Sequence, residues 1–240
     1  MDIVEWVMTL FNEFKKNVPS NDVLCSKAAD VILAGEGCVE IKNNFSHYFE
    51  ELQKEIYNQY LFAQEKSGQL IIDQQILEKG TIHFNDMDKL LMSIFQSRKS
   101  RAGKAFEYII RELFSRLSYP FSEQVNIDGA KPDFVMPSEE YFKEKPLDSI
   151  IFTAKRTLRE RWRQVVTEAN KGYGYFLATL DEKVTSSQIE QAETHKIFLV
   201  VPMSMKEKNE IYSKAYNVLS FEQFFSSYLD PAVERWKSST

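Results

Sequence analysis

Cysteine is nearly absent: Cys25 and Cys38 are the only two in 240 residues. They lack metal-ligand spacing and have no second pair beside them, which leaves no cysteine-based metal site and points to a reducing cytoplasm. Long apolar runs are missing too. Nothing approaches the roughly 18 consecutive apolar residues a membrane-spanning helix needs, so no membrane partner is expected. The start, Met1-Asp2-Ile3-Val4-Glu5, has neither the basic opening nor the apolar stretch of a secretory leader. Internal repeats and low-complexity linkers are absent as well.

What is present is enough to build a core. Hydrophobic residues make up 43% of the chain, which suits one large domain or one domain with a helical extension. The net charge of −5 argues against indiscriminate coating of nucleic acid. The charge is uneven, however. RKSRAGK, from Arg98 to Lys104, and KRTLRERWR, from Lys155 to Arg163, are basic clusters, while acids gather between Glu36 and Glu65 and between Glu139 and Glu144. An acidic chain with two such clusters can grip a polyanion through one face. The competing explanation is a pair of solvated helix faces.

Residues 1–90 read as a helical N-terminal region and residues 91–240 as an α/β core, with a soft boundary between about 85 and 97. Ile3, Val4, Val7, Met8, Leu10, Phe11 and Phe14 recur at helical spacing. So do Phe45, Tyr48, Phe49, Leu52, Ile56, Tyr60 and Leu61, with breaks expected at Gly35–Gly37 and Ser67–Gly68. Further helices are expected over residues 86–96 and 101–117. Beyond them, strands are expected at Gln124–Ile127, Phe134–Met136, Ser149–Ala154, Gly174–Leu180 and Lys196–Pro202. Helical patterns cover Leu158–Ala169, Ser186–Thr194 and Ser220–Trp236. Strands alternating with helices indicate a sheet with helices packed on it.

Two strand ends carry unusual charges. Asp133 enters the apolar strand Phe134–Met136 directly after Pro132, and Lys155 closes the apolar strand that ends in Thr153-Ala154. A lysine at the end of a buried strand must be paired or solvated. A nearby acid and a phosphate would both satisfy it. On the helix that follows, Glu160, Gln164 and Glu168 are spaced by four and share a side. A helix doubling back along the sheet can bring Glu168 toward Asp133 and Lys155, and Glu107 on an earlier helix is a fourth candidate. Phosphodiester hydrolysis calls for this chemistry. Carboxylates bind Mg²⁺, which prefers oxygen, and a lysine can orient the attacking water and offset charge on the phosphorane. The competing explanation of the Asp and Lys alone is a strand-end salt bridge.

The segment Thr153-Ala154-Lys155-Arg156-Thr157-Leu158-Arg159-Glu160-Arg161-Trp162-Arg163-Gln164 resembles the TAK…RWRQ signature of the EcoRII C-terminal domain, SsoII and PspGI family of type II restriction endonucleases. Gln96–Glu107 resembles the family's SRAGK helix, and Lys131–Pro137 its PDF strand. Together the three span about residues 95–202. The resemblance implies the restriction-endonuclease-like PD-(D/E)XK fold, a mixed central sheet flanked by helices, and Mg²⁺ as cofactor. It implies Asp133, Lys155 and Glu168 as catalytic residues, with Asp133 and Glu168 holding the metal and Glu107 as the helix acid. Most of the superfamily has an acid two residues before the lysine. Here Thr153 stands there, a departure this subgroup shares, its second acid lying further along at Glu168.

By the same resemblance, Arg159, Glu160 and Arg161 contact the CC and GG of each half-site in the major groove. The chemistry supports this independently, since Arg can bond guanine O6 and N7 together and Glu can accept from cytosine N4. Gln96 would approach from the minor groove, and Arg98, Arg101 and Lys104 are further DNA-binding candidates. Trp162 is expected to pack rather than to read bases. SsoII-like and PspGI-like enzymes also extrude the central base, for which Phe45, Tyr48 and Phe49 are candidate stackers; their helical spacing fits core or dimer contact better. One active site cuts one strand, so a homodimer is expected on double-stranded DNA at a CCNGG- or CCWGG-like palindrome, with a cognate cytosine methyltransferase in the host. The alternatives are a repair or recombination nuclease of the same fold and a catalytically inactive DNA-binding protein.

Overall fold

The structure, a computed structural model, describes residues 3–81, 83–127, 129–158, 162, 165–166 and 174–238. The chain divides into two compact units: residues 1–34 with 51–109, and residues 35–50 with 110–240.

The first unit is helical. It contains α1 (Ile3–Asn17), α2 (Asn21–Ile32), most of α4 (Phe45–Lys79) and most of α5 (Phe84–Arg116). Short α3 (Cys38–Asn43) belongs to the second unit. The Ser20 hydroxyl starts α2 by accepting from the Val23 amide, which satisfies one of the donors every helix start leaves open. The apolar period of α1 buries Trp6, Val7, Leu10 and Phe14. Trp6 Nε1 donates to Gln75 Oε1 at 3.1 Å, tying α1 to α4.

Two expected interruptions do not occur. α4 runs through Ser67-Gly68 without a break. Ser67 is fully buried and its hydroxyl donates to the Phe14 carbonyl at 3.2 Å, while Tyr60 and Ile71 bury on the same stretch. Glycine costs a helix only about 1 kcal/mol relative to alanine, so that burial outweighs it. Likewise, the helices expected over 86–96 and 101–117 are one element, α5. Leu90, Ile94, Phe106 and Ile109 carry its buried face across the basic segment.

The second unit is built on a six-stranded sheet in the order β1 (Ser122–Glu123), β2 (Phe134–Met136), β3 (Ile150–Ala154), β4 (Gly174–Ala178), β5 (Ile197–Val201), β6 (Val218–Ser220). β1, β2 and β3 pair antiparallel, and β3 to β6 pair parallel, so the sheet is mixed. α6 (Glu139–Glu144) follows β2, and α7 (Ser186–Thr194) lies between β4 and β5. The first strand differs from the expected Gln124–Ile127. Ile127 instead bridges only Ala130, across a tight turn in which Gly129 has φ 86°, a conformation open to glycine at no steric cost. β6 was not expected; three residues are too few to show a strand period.

Strand alternation sorts the core into two faces. Phe134, Phe152, Phe176 and Phe198 are register partners across β2 to β5 and line one face. Against them pack Phe114 at the end of α5 and Phe224 from the closing helical run, with Phe225 of that run against Phe114 and Phe224. That run comprises α10 (Phe221–Phe224), a π turn (Phe225–Leu229) and α11 (Asp230–Ser238); α8 (Met203–Lys208) and α9 (Glu210–Lys214) precede it. Phe45 and Phe49 are fully buried in the same aromatic layer, and Tyr48 is buried too. The opposite face carries Val135, Ile151, Tyr175, Leu177, Leu199 and Val218 beneath Leu158, Trp162, Val165, Ile189 and Ala192.

No described helix is long and apolar enough to cross a membrane. Neither Cys25, which is buried, nor Cys38, which is exposed, forms a disulfide.

Candidate active site

The antiparallel pairing of β2 with β3 sets the geometry. Phe134 pairs with Phe152, so the residue before Phe134 meets the residue after Phe152. Asp133 and Thr153 therefore face each other on the Val135–Ile151 side of the sheet. The Thr153 hydroxyl donates to Asp133 Oδ2 at 2.7 Å, and the Ala154 amide donates to the same oxygen at 2.7 Å. Lys155 Nζ lies 3.1 Å from it. Pro132 holds the chain extended into this position and offers no N–H to prolong the ladder.

Three donors thus converge on one carboxylate oxygen. The Asp133 side chain is only 5% exposed and that of Lys155 18%. A pair this dry is stable only when additional hydrogen bonds satisfy it, and Thr153 and Ala154 supply them. The other oxygen, Oδ1, takes none of the three bonds. The site lies at the C-terminal end of β3, where the Lys155 amide still donates to Ala178 O of β4 at 2.9 Å. In open α/β sheets, such strand ends are where ligands bind.

Among the described residues, no group of three or more His, Cys, Asp or Glu could hold a metal ion. The chemistry at Asp133 nonetheless fits a hard cation. Among the described residues these three donors all engage Oδ2 and leave Oδ1 to a cation, and Mg²⁺ is commonly held by one or two carboxylates together with substrate phosphates.

The other candidates are distributed as follows. Arg159, Glu160, Arg161 and Glu168 lie outside the described residues. Glu107 is half-buried on the first-unit part of α5. Gln96 and Lys104 are exposed on the same helix, where they line a first-unit cavity of about 700 Å³ with Met8, Phe11, Lys15 and Tyr108. Arg98 is bonded through Nε and Nη2 to Gln64 Oε1, at 3.1 and 2.8 Å. The Arg101 guanidinium donates to the Pro19 carbonyl, sits 4.9 Å from the Tyr60 ring centre, and has its pKa lowered by burial. Its Nε is buried without a partner. Trp162 packs in the core, and its indole donates to Gln191 Oε1 at 2.8 Å.

Two groups at the site went unassigned in the sequence: the Ala154 amide as a donor, and Asp181, whose Oδ2 accepts the Leu158 amide at 2.8 Å. A backbone amide leaves no residue-type signal, and an aspartate in a loop after a strand looks like an ordinary turn residue.

A mixed sheet flanked by helices, with an aspartate and a lysine meeting at adjacent strand ends, defines the restriction-endonuclease-like fold. Solved structures share it. The chain matches metal-depleted Ecl18kI in complex with uncleaved DNA at TM-score 0.84 and 24% identity, covering 98% of this chain and 86% of that one. It matches PspGI in a substrate DNA complex at TM-score 0.71 and 20% identity, covering 92% and 96%.

The sequence comparisons give the family. The EcoRII C-terminal family model matches residues 65–225, and the chain belongs to that family. It is 33% identical over 138 residues to the type II restriction enzyme EcoRII of Escherichia coli, covering 55% of this chain but 34% of EcoRII. It is 28% identical over 209 residues to the type II restriction enzyme SsoII of Shigella sonnei, covering 81% of this chain and 68% of SsoII.

Proposed function

We propose that this chain is a type II restriction endonuclease that hydrolyses one phosphodiester in each strand of a CCNGG- or CCWGG-like palindrome, with Mg²⁺ as cofactor. The observation that carries this is the convergence of Thr153, Ala154 and Lys155 on Asp133 Oδ2 at the strand ends. An acid and an ammonium brought together at adjacent strand ends, with the acid held in place, are what metal-assisted phosphodiester hydrolysis calls for. Family membership and the type II restriction enzymes among its relatives point the same way.

In this mechanism Asp133, with Oδ1 unengaged by those three donors, and Glu168 would hold the metal, which would supply Lewis-acid chemistry at the scissile phosphate. Lys155 orients the attacking water and stabilises charge on the phosphorane oxygens. Thr153 and the Ala154 amide fix the Asp133 carboxylate so that its rotamer does not drift between turnovers. Glu107 is the additional acid of the α5 segment.

Specific recognition falls to Arg159, Glu160 and Arg161 in the major groove and to Gln96 from the minor-groove side, with Arg98, Arg101 and Lys104 adding positive charge toward the backbone. Arg98 and Arg101 already have protein partners, so of these three Lys104 is the one best placed to meet phosphate. Two copies related by a two-fold axis match the symmetry of the palindrome. Extrusion of the central base belongs to the same proposal, but Phe45, Tyr48 and Phe49 are not its stackers, because all three are buried. A cytosine methyltransferase protects the host's own sites, and the enzyme acts in the cytoplasm.

The test is digestion of a plasmid of known sequence with Mg²⁺, followed by sequencing of the fragment ends. Discrete fragments ending at CC…GG sites support the proposal. A smear, or cutting only at branched junctions, favours a repair or recombination nuclease. Binding without any nicking favours an inactive DNA-binding protein.

A further inference from the structure

The Lys155 end of β3 continues into a short arch that is pinned at both feet. At the first foot, the Lys155 amide donates to Ala178 O of β4 at 2.9 Å. At the second, the Leu158 amide donates to Asp181 Oδ2 at 2.8 Å, and the Leu158 side chain is fully buried. Asp181 is itself fixed. Its amide donates to the fully buried Thr179 hydroxyl at 3.1 Å, its Oδ1 accepts the Lys183 amide at 3.0 Å, and its carbonyl accepts from the Tyr212 hydroxyl. Arg156 and Thr157, between the two feet, are exposed. The crown of the arch thus has a constrained backbone and solvent-facing side chains, directly beside the Asp133–Lys155 pair.

Arg156 stands out on that crown. Among the described residues, no hydrogen bond, ion pair or aromatic ring engages its guanidinium. Arg116 and Arg235 in the same unit each pair with an acid. Asp181, the acid at the second foot, has both oxygens taken by backbone amides. Burial nevertheless lowers the Arg156 pKa, although the side chain reaches solvent. Both hold at once for a cation at the edge of a recess that is open on one side. A charge partly stripped of water and left unpaired is costly, and an anion arriving from outside relieves that cost.

The surroundings select the anion. Lys155 is matched by Asp133. Lys131, two residues before Asp133, is exposed and has no partner among the described residues. The two strand ends that build the site therefore present two unmatched cations, Lys131 and Arg156. A phosphodiester suits them, since its two free oxygens meet a planar guanidinium bidentately.

We propose that Arg156 is a further substrate-binding residue, its guanidinium holding a phosphate of the DNA strand being cut, at or beside the scissile bond; this rests on the nuclease function proposed above. The pinned arch fixes that contact one residue from Lys155, so a phosphate held there keeps the strand aligned with the catalytic ammonium. Lys131 adds positive charge from the other side of Asp133. A backbone contact serves every sequence equally and carries no discrimination between bases.

The test compares wild type with Arg156→Ala, Arg156→Lys and Arg156→Gln. Binding is measured without Mg²⁺ on a CCWGG duplex, on an unrelated duplex, and on CCWGG duplexes in which each phosphate of the site and its flanks is replaced singly by a neutral methylphosphonate. Thermal midpoints should match wild type. In Arg156→Ala, Kd for both unmodified duplexes should rise about tenfold, the low end for a charge-assisted hydrogen bond. The ratio between those two Kd values should hold, and the slope of log Kd against log salt should fall by about one for each copy bound. At one methylphosphonate position, wild type and Arg156→Ala should bind equally, which identifies the phosphate that the guanidinium holds. Arg156→Lys keeps the charge and should keep the wild-type slope. Wild-type Kd and slope in Arg156→Ala overturn the proposal. So does a loss that is the same at every methylphosphonate position, because the residue would then act through the fold and not on a phosphate. If Arg156→Ala does not fold, Arg156→Gln, which keeps the stem, decides. If wild type binds DNA but cuts none with Mg²⁺, the nuclease function fails separately, and the binding series still judges Arg156.

Discussion

Thr153 donates its hydroxyl proton to Asp133 Oδ2 at 2.7 Å, from the position two residues before Lys155 where related nucleases outside this subgroup carry an acid. The substitution changes the chemistry of the position from metal ligand to carboxylate clamp. Thr153→Val keeps the shape and removes the donor. It should destabilise the protein by about 1.5–3 kcal/mol, the range for a hydrogen bond to a charged group, and raise the Mg²⁺ concentration needed for half-maximal cleavage. Urea denaturation checks the first effect and a Mg²⁺ titration the second. A loss under about 0.5 kcal/mol would mean that the hydroxyl does not hold the carboxylate.

Asp133 is the acceptor for all three converging donors. Asp133→Asn keeps one oxygen for them and removes the negative charge. The variant should fold, bind DNA and fail to cleave. Asp133→Ala should also fail to cleave but strands a buried lysine, costing about 3–5 kcal/mol. Circular dichroism melts beside a nicking assay separate the two effects. Turnover near wild type in the folded Asn variant would remove Asp133 from catalysis.

Phe114 is fully buried, with ring centres 5.3 Å from Phe152 and 5.7 Å from Phe134. Phe114→Ala should cost about 3–5 kcal/mol by opening a cavity under the strands that carry Asp133 and Lys155. Leu147→Ala, at a residue 78% exposed, should stay within about 0.5 kcal/mol. Equal losses in denaturant midpoints would place the core elsewhere.

Asp148 gives a pH signature remote from the site. Burial raises its pKa, but hydrogen bonds from Tyr141 Oη at 2.7 Å and Arg235 Nε at 3.1 Å outweigh that and leave it below the ordinary value. The folded state therefore binds this proton less readily than the unfolded chain. The stabilisation is complete above the ordinary aspartate value of about 3.9 and fades as pH falls through the lowered one. Asp148→Asn should flatten the acid limb of a stability–pH curve below about pH 4. An unchanged limb would show that the Tyr141 and Arg235 contacts do not favour the ionised carboxylate.

Much of the catalytic half was legible because its signals are local. Phe134–Met136 and Ser186–Thr194 fall where the apolar run after Pro132-Asp133 and the helical period put them. Asp133 and Lys155 stood out because charges at the ends of apolar strands are rare enough to need a reason. The long helices were less legible. Ser67-Gly68 has the local chemistry of a break, and only the burial of its neighbours and the bond to the Phe14 carbonyl keep α4 intact. The bonds that Asp181 and Gln191 accept could not be read at all, since each depends on a partner more than twenty residues away that only the fold brings near. Phe45, Tyr48 and Phe49 show the converse: three aromatics in one short segment offer stackers as well as core, their helical spacing favours the core or a dimer contact, and burial of all three, with Phe45 and Phe49 packed against Phe221, decides for the core.

The most direct measurement is the single-turnover cleavage rate of Lys155→Ala with Mg²⁺ on the duplex cut by wild type, beside its Kd for the same duplex. Removing the ammonium leaves Asp133 Oδ2 bonded to Thr153 and Ala154, so the fold should persist. The rate should drop by about 10²–10³, as for loss of one preorganised group that stabilises developing charge, while Kd stays within a few-fold. A rate equal to wild type, with the protein folded and bound, would contradict the assignment of this strand-end pair to catalysis.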